Sequence, residues 1–426
     1  MRKLKWIIIL IFLTCITTNT EAKIYLDIYG KTFKKITIGV PSFKSETIDR
    51  LRADMSELLN KDLDISGFFI VAPSSLLDRE LSDEGIEKQE IKFGNWRSIG
   101  IELLCKGKLQ QKDGEIILEA YLYDTIDGSL MLAKRYRAKS EEWRKIVHRL
   151  ADDIVLTVTG EKGIMSSRIV FVAGGRSYKE IYTADLDGHN TKKLTNFRSI
   201  TVLPSVSPNG KYLAYTSYKE GKPNLFIMDL EKNREIHVER GEGMKFGTTW
   251  IGKATLGFSH TSGRYSSIYT FDIEKSDKRL ILSKEGIYTS PSFSPDGTKM
   301  VFVSDMYGTP QIFMQDLPSG NIKRLTYYGN YNTSPCFSPK GDLIAFVSSI
   351  EGSFEICVMN ADGSNQRVLT NGGINDSPQF SPCGRYIIYS SKRGGRYNIY
   401  MMLYNGEGKR MLKFTEGDAE QPKFIP

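Results

Sequence analysis

From residue 168 onward the chain alternates apolar and polar residues in short runs, each bounded by Gly, Pro, Asn or Asp. Period two is the signature of strands, and the bounding residues are turn formers. One run recurs with starts at Ile181, Leu225, Ile268, Ile312, Ile356 and Ile399, spaced 44, 43, 44, 44 and 43 residues apart. A period in the low forties with about four short strands per copy predicts propeller blades. A helical solenoid of similar period would need 3.6-residue periodicity, which this stretch lacks. A Ser-Pro-Xaa-Gly turn precedes the repeated run at residues 207–210, 294–297, 338–341 and 381–384. Pro presets φ at the first turn position, and Gly accepts the left-handed geometry that ends the turn. The third copy lacks this turn, although Leu256 still occupies the strand that follows it.

The ends of the array predict how it closes. Residues 168–174 match the second strand of the other copies, so the first copy begins without its innermost strand. Residues 419–424 match the innermost-strand signature of residues 375–380. The C-terminus is therefore expected to complete the first blade, closing six blades into a ring over residues 164–426 and removing exposed sheet edges.

Residues 23–163 read as a small α/β domain. A short apolar strand at 36–40 ends at Pro41. Ile48, Leu51, Met55, Leu58 and Leu59 then line one face of a helix. A second strand at 68–71 stops at Pro73, and the polar stretch 77–95 reads as irregular. Strand-like runs at 101–109, 115–123 and 129–137 are separated by Asp113-Gly114 and Asp127-Gly128, which predicts an antiparallel meander. A closing helix from about residue 141 turns Trp143, Val147, Leu150 and Ile154 inward, and Gly160 and Gly163 end it. The fold class is thus an α/β N-terminal domain followed by an all-β six-bladed propeller.

Residues 1–22 read as a signal peptide. Arg2, Lys3 and Lys5 precede an apolar run from Trp6 to Leu13, and Ala22 offers a cleavage site. That run is too short to span a bilayer and no later one is longer, so an exported chain without a direct membrane span is expected. Thr14 before Cys15 does not suit lipid modification.

Composition changes this picture little. Hydrophobic residues at 40%, charged residues at 25% and a net charge of +8 describe an ordinary globular surface with interleaved signs. No basic stripe with stacking aromatics points to nucleic acid. Cys105, Cys336, Cys357 and Cys383 fit neither a CxxC metal site nor a dense disulfide framework. His148, His189, His237 and His260 fall in different elements without HExxH spacing. GxSxG and GxxxxGK[ST] motifs are missing, so catalytic residues, metal ligands and cofactors are all expected to be none. Asp229, Asp272 and Asp316 could form a carboxylate ring, but each also suits a cap on the turn after its strand.

Topology separates two faces of the disc. Tight turns of one type crowd one face. The other carries the inter-blade loops and the loops between second and third strands, which are longer, varied and rich in Tyr, Asn, Arg and Lys. Tyr and Arg are favoured at protein interfaces, so this face is the candidate binding surface.

The leader, the 36–43 strand, the junction at 160–172 and the Ser-Pro-Xaa-Gly blades together resemble the TolB family of the Gram-negative Tol–Pal system. The repeat alone is shared by other propellers; its combination with this N-terminal domain is more specific. The resemblance implies a non-enzymatic periplasmic component linking TolA at the inner membrane to the Pal lipoprotein at the outer membrane. It implies support of outer-membrane integrity, of constriction at cell division and of protein import, with other outer-membrane proteins as further partners. It places TolA's C-terminal domain on Lys23, Ile24, Tyr25, Leu26, Asp27, Ile28 and Tyr29. Alternation of Ile24, Leu26 and Ile28 suits strand addition, and equally suits a first strand of their own domain. It places Pal on Phe246, Thr289, Ser290, Asn332, Thr333, Asn375 and Asp376, with the degenerate third copy departing from the family pattern at 247–253. The residues alone leave open an exported propeller enzyme or carbohydrate-binding protein using the central channel.

Overall fold

A computed structural model describes residues 34–45, 49–74, 76–77, 84–175, 177–236, 238 and 243–425. The leader and the segment 23–29 lie outside the described residues, as does His237.

The N-terminal domain is a five-stranded sheet ordered β2-β1-β3-β4-β5. β1 (Ile36–Gly39) pairs parallel with β2 (Phe69–Val71) and β3 (Leu103–Lys112); β3, β4 (Glu115–Asp124) and β5 (Leu130–Lys139) form the antiparallel meander. Alternation along β4 buries Ile116, Leu118, Ala120 and Leu122 in one core with Met55, Leu59 and Leu63 of α1 (Asp49–Ser66). The same core takes Val147, Leu150 and Ile154 of α3 (Trp143–Thr159). Gly160 ends α3 at φ 73°, a left-handed position that Gly occupies without Cβ strain.

Within the polar stretch 77–95, residues 84–95 are more ordered than their composition suggests. They contain a 3₁₀ turn at Lys88–Glu90 and lead into α2 (Phe93–Ser98), which covers the sheet's other face with Trp96. Glu84 supplies the reason. Its carboxylate accepts the Trp96 indole N–H at 2.7 Å and lies 3.3 Å from the buried Lys106 ammonium. A pair satisfied across 22 residues leaves no local periodicity to read.

Beyond residue 168 the chain forms antiparallel sheets arranged as a β-propeller. Four separate sheets have four strands each, and an eight-stranded sheet comprises two such halves joined by one parallel bridge, Phe354 to Ile374. The innermost strands are Thr201–Val206, Met244–Ile251, Tyr288–Phe293, Asn332–Phe337, Ile374–Phe380 and Asp418–Ile425. Each packs against the next, and the last packs against the first. Asp418–Ile425 pairs antiparallel with Arg168–Gly174, so the C-terminal strand completes the sheet that the chain began 250 residues earlier.

Every Ser of the repeated turn has a job that the Pro and Gly do not do. The Oγ atoms of Ser207, Ser294, Ser338 and Ser381 accept the backbone N–H five residues on, at 2.9–3.1 Å, locking the hairpin shut. Asp229 and Asp272 each accept two backbone N–H groups of the following turn, and Asp316 accepts the N–H and hydroxyl of Ser319. These carboxylates are turn caps on separate blades.

The α/β domain sits on the tight-turn face. Tyr386 Oη donates to the Ser66 carbonyl at 2.7 Å, the Arg410 guanidinium meets Asp64 at 2.9 Å, and Arg385 lies over the Phe68 ring. At the centre of this contact His148 is buried between two domains' carboxylates. Its Nδ1 is 2.7 Å from Asp62 of α1, and its Nε2 is 3.3 Å from Asp187 in a propeller turn. Arg144 also pairs with Asp187. Burial alone would lower the His148 pKa, but the contacts with Asp187 and Asp62 outweigh it and raise it to about 9. Burial raises the pKa of Asp62, partly offset by His148, whereas the bonds from His148 and Arg144 outweigh burial at Asp187 and hold it low.

Candidate protein-binding face

The mouth of the ring is built by a repeated irregularity. In each innermost strand the register shifts once, and the residue at the shift has positive φ: Leu203, Gly247, Ser290, Ser334, Ser377 and Gln421. Pro follows in five of the six cases. An innermost strand has one edge facing the channel, so a missing N–H there breaks no ladder bond, and the bulge bends the strand toward the axis. Pro204, Ser205, Thr248, Pro335, Gln379 and Lys423 are among the residues lining the central channel, a volume of about 160 Å³. Burial lowers the Lys423 pKa.

Directly before each bulge comes Val202, Phe246, Thr289, Thr333, Asp376 or Glu420. The sequence-predicted Phe246, Thr289, Thr333 and Asp376 therefore occupy equivalent places around one ring, with Ser290 at a bulge itself, each partly exposed. Ser334 of one strand donates to Asp376 of the next at 3.1 Å, linking neighbouring members. Reading from sequence missed Val202, Leu203, Glu420 and Gln421, which complete the circle. The match of residues 419–424 to 375–380 carries the signal for Glu420 and Gln421, and the place of Val202 and Leu203 just before Pro204 carries theirs.

Asn332 and Asn375 differ from the expectation. Both side chains are fully buried and present no surface. The Asn375 amide donates to the carbonyls of Phe354 and Gly372 and to the Glu355 carboxylate. Asn332 makes the equivalent bonds to Gln311 and the Tyr328 carbonyl, at 2.9 and 2.7 Å. Glu355 and Gln311 also accept the hydroxyls of Thr370 and Thr326. Each Asn thus holds the inter-blade loop whose tip faces solvent. Polarity alone could not separate a buried amide from an exposed one.

Exposed apolar side chains are unevenly distributed. Among described propeller residues, Tyr178, Tyr218, Tyr265 and Tyr307 stand in or beside loops between second and third strands. Ile200, Met244, Ile287, Tyr327, Tyr328, Tyr331 and Ile374 stand in or beside inter-blade loops. All of these loops open on the mouth face. The remaining three, Leu280, Val368 and Met411, lie on outer strands, and none lies in a tight turn. Tyr328 is 83% exposed, and Arg324 lies within cation–π range of Tyr307 and Tyr327. Among the described residues no group of three or more His, Cys, Asp or Glu could hold a metal ion, and no helix is long and apolar enough to cross a membrane. Cys105, Cys336, Cys357 and Cys383 are free thiols, and burial pushes Cys105 up to about 12.

Comparison with known proteins supplies the family. Residues 155–426 match the model described as the TolB beta propeller domain, and residues 24–131 match the TolB amino-terminal domain. The protein TolB homolog of Chlorobium luteolum is 34% identical over 288 residues, 68% of this chain and 65% of the relative. The Tol-Pal system protein TolB of Desulfosudis oleivorans is 34% identical over 251 residues, 58% of this chain and 57% of the relative. The matched stretches thus span somewhat under two-thirds of these relatives' own lengths. The crystal structure of TolB from Acinetobacter baumannii superposes with a TM-score of 0.83 at 23% identity, covering 92% of this chain and 97% of that one, which establishes a shared fold. With both halves of the chain matched, this protein belongs to the TolB family.

Proposed function

We propose that the chain is a periplasmic, non-enzymatic protein-binding component of a Tol–Pal system, and that the propeller mouth is its principal contact surface. The observation that carries this reading is the segregation of exposed Tyr, Ile and Met side chains onto the mouth face, while the α/β domain occupies the opposite face. Aromatic and Arg side chains combine large contact area with hydrogen bonding, the usual anchors of a protein interface. The ring is inferred to have six blades, because six innermost strands contact one another in sequence and the eight-stranded sheet divides at its single parallel bridge. The name of the Desulfosudis relative supports the Tol–Pal assignment.

On this reading Phe246, Thr289, Ser290, Thr333 and Asp376 meet the Pal lipoprotein, together with Val202 and Gln421. Asn332 and Asn375 hold the surrounding loops from below. Residues 23–29 meet the C-terminal domain of TolA by strand addition, where main-chain hydrogen bonds supply affinity. Export after removal of residues 1–22 brings both partners within reach. The bonds from Ser334 to Asp376 and from the Leu203 N–H to Gln421 tie neighbouring innermost strands together, so these polar groups serve the ring's own structure, which favours binding over catalysis.

Binding of purified Pal periplasmic domain and TolA C-terminal domain tests the assignment by calorimetry. Tyr327→Ala with Tyr328→Ala is expected to weaken Pal at least about tenfold and leave TolA unchanged, consistent with hot-spot aromatics. Deletion of residues 23–29 is expected to do the reverse. Unchanged binding of both partners by both variants would refute the assignment.

A further inference from the structure

A cleft of about 470 Å³ opens where α3 and β5 meet the linker and the first propeller strand. Its walls carry Arg137 of β5, Lys145 and Arg149 of α3 and Arg168 of the propeller, and His148 of the interdomain clasp also lines it. Glu142 and Asp185 are the acids lining it. Glu142 bonds Lys145, and Asp185 meets Arg168 at 3.5 Å. Arg137 has only a 3.5 Å contact with exposed Glu115 outside the cleft. Arg149 has no ion pair among the described residues. Nearby Asp152 is already committed, since its two oxygens accept the N–H groups of Met165 and Ser166.

The exposed cations of this cleft contribute little to the fold. Lys145 and Arg149 are like charges at i,i+4 on one helix face, an unfavourable pair in isolation. The ion pairs that line the cleft are solvent-facing and individually weak. The guanidinium groups of Arg149 on α3 and Arg168 on the first propeller strand line the same cleft with Ser167, a donor set whose chemistry suits a phosphoryl oxyanion. A cavity of this size takes a small molecule; an acidic helix or strand would need a longer groove.

We propose that this cleft binds a phosphoryl dianion, seated against Arg149 and Arg168 and bridging the two domains. The site is separate from the mouth and independent of the partner assignment above. Titration of the purified chain with pyrophosphate at low ionic strength should give saturable one-to-one binding. Arg149→Ala combined with Arg168→Ala should weaken it about tenfold or more, the scale of a lost charge-assisted pair. Both side chains are exposed, so the unliganded melting temperature should stay unchanged, which separates lost binding from lost folding. Arg149→Lys should bind with intermediate affinity, because an ammonium keeps the charge but not the fork. Co-sedimentation with phosphatidic acid vesicles, but not phosphatidylcholine vesicles, would identify a lipid source for the same group; binding of soluble pyrophosphate alone would identify a free solute. Absence of saturable binding, equal affinity in the double variant, or tighter binding of a polyglutamate peptide would overturn the proposal.

Discussion

Replacing His148 by Gln removes a buried cation from between Asp62 and Asp187 while roughly keeping its volume. The imidazole is only 3% exposed, so its charge is weakly screened. Moving from about 6.5 in the unfolded chain to about 9 at this site is worth about 3 kcal/mol of folding free energy. The folded state holds this proton more tightly than the unfolded state does. Its contribution is therefore complete below about pH 6.5, shrinks as pH rises toward 9, and is gone above that. Urea titrations of both proteins at pH 6, 7, 8 and 9.5, followed by tryptophan fluorescence, give the stability difference at each pH. Trp143 adjoins Arg144 at the clasp, which makes it a local reporter. His148→Gln should be less stable by about 3 kcal/mol at pH 6, with the gap closing steadily to pH 9.5. A gap that stays constant across this window would refute the charged clasp and leave His148 as packing alone.

Three further outcomes follow from the geometry. Asn375→Ala deletes an amide that serves Phe354, Glu355 and Gly372, so about 1–3 kcal/mol of stability should be lost, seen as a lower denaturant midpoint; an unchanged midpoint would mean the loop holds itself. Gly188→Ala should cost about 2 kcal/mol or more, since Gly188 has φ 87° and a Cβ there would lie 2.3 Å from the Lys413 carbonyl. Gly210→Ala, also left-handed but with its nearest neighbour 3.7 Å away, should cost only about 1 kcal/mol, and equal melting temperatures for the two would contradict this reading. Deleting residues 418–425 exposes the whole edge of Arg168–Gly174 and opens the ring, so the product should aggregate or melt well below the parent; a soluble monomer with the parent's melting temperature would exclude closure as a source of stability.

Much of the architecture was legible because it repeats. Period-two alternation at intervals of 43–44 residues could hardly belong to anything but stacked small sheets, and the match between 419–424 and 375–380 identified the closing strand before any pairing was known. Turn chemistry was legible for the same reason: Ser, Pro and Gly act on backbone atoms within five residues of themselves. The equivalent ring positions of Phe246, Thr289, Thr333 and Asp376 also followed from counting along the repeat.

What the repeat could not convey was decided by contacts between residues far apart in the chain. Asn332 and Asp376 are both polar residues at the start of innermost strands, yet one is fully buried and the other partly exposed, because Asn332 shares the Asn375 position one residue earlier, where the side chain turns back onto Gln311 and the Tyr328 carbonyl. Glu84 belongs to a polar stretch that reads as irregular and Lys106 to a strand, and only the fold brings them together as a buried pair. The clasp of His148 with Asp62 and Asp187 joins residues 86 and 39 positions apart, with no shared motif (148 − 62 and 187 − 148). The alternating pattern determined that a ring of sheets would form and which of its faces would be varied. Only the tertiary structure decided that the α/β domain takes the stereotyped face, because that choice rests on shape and charge assembled from both domains and is encoded in neither alone.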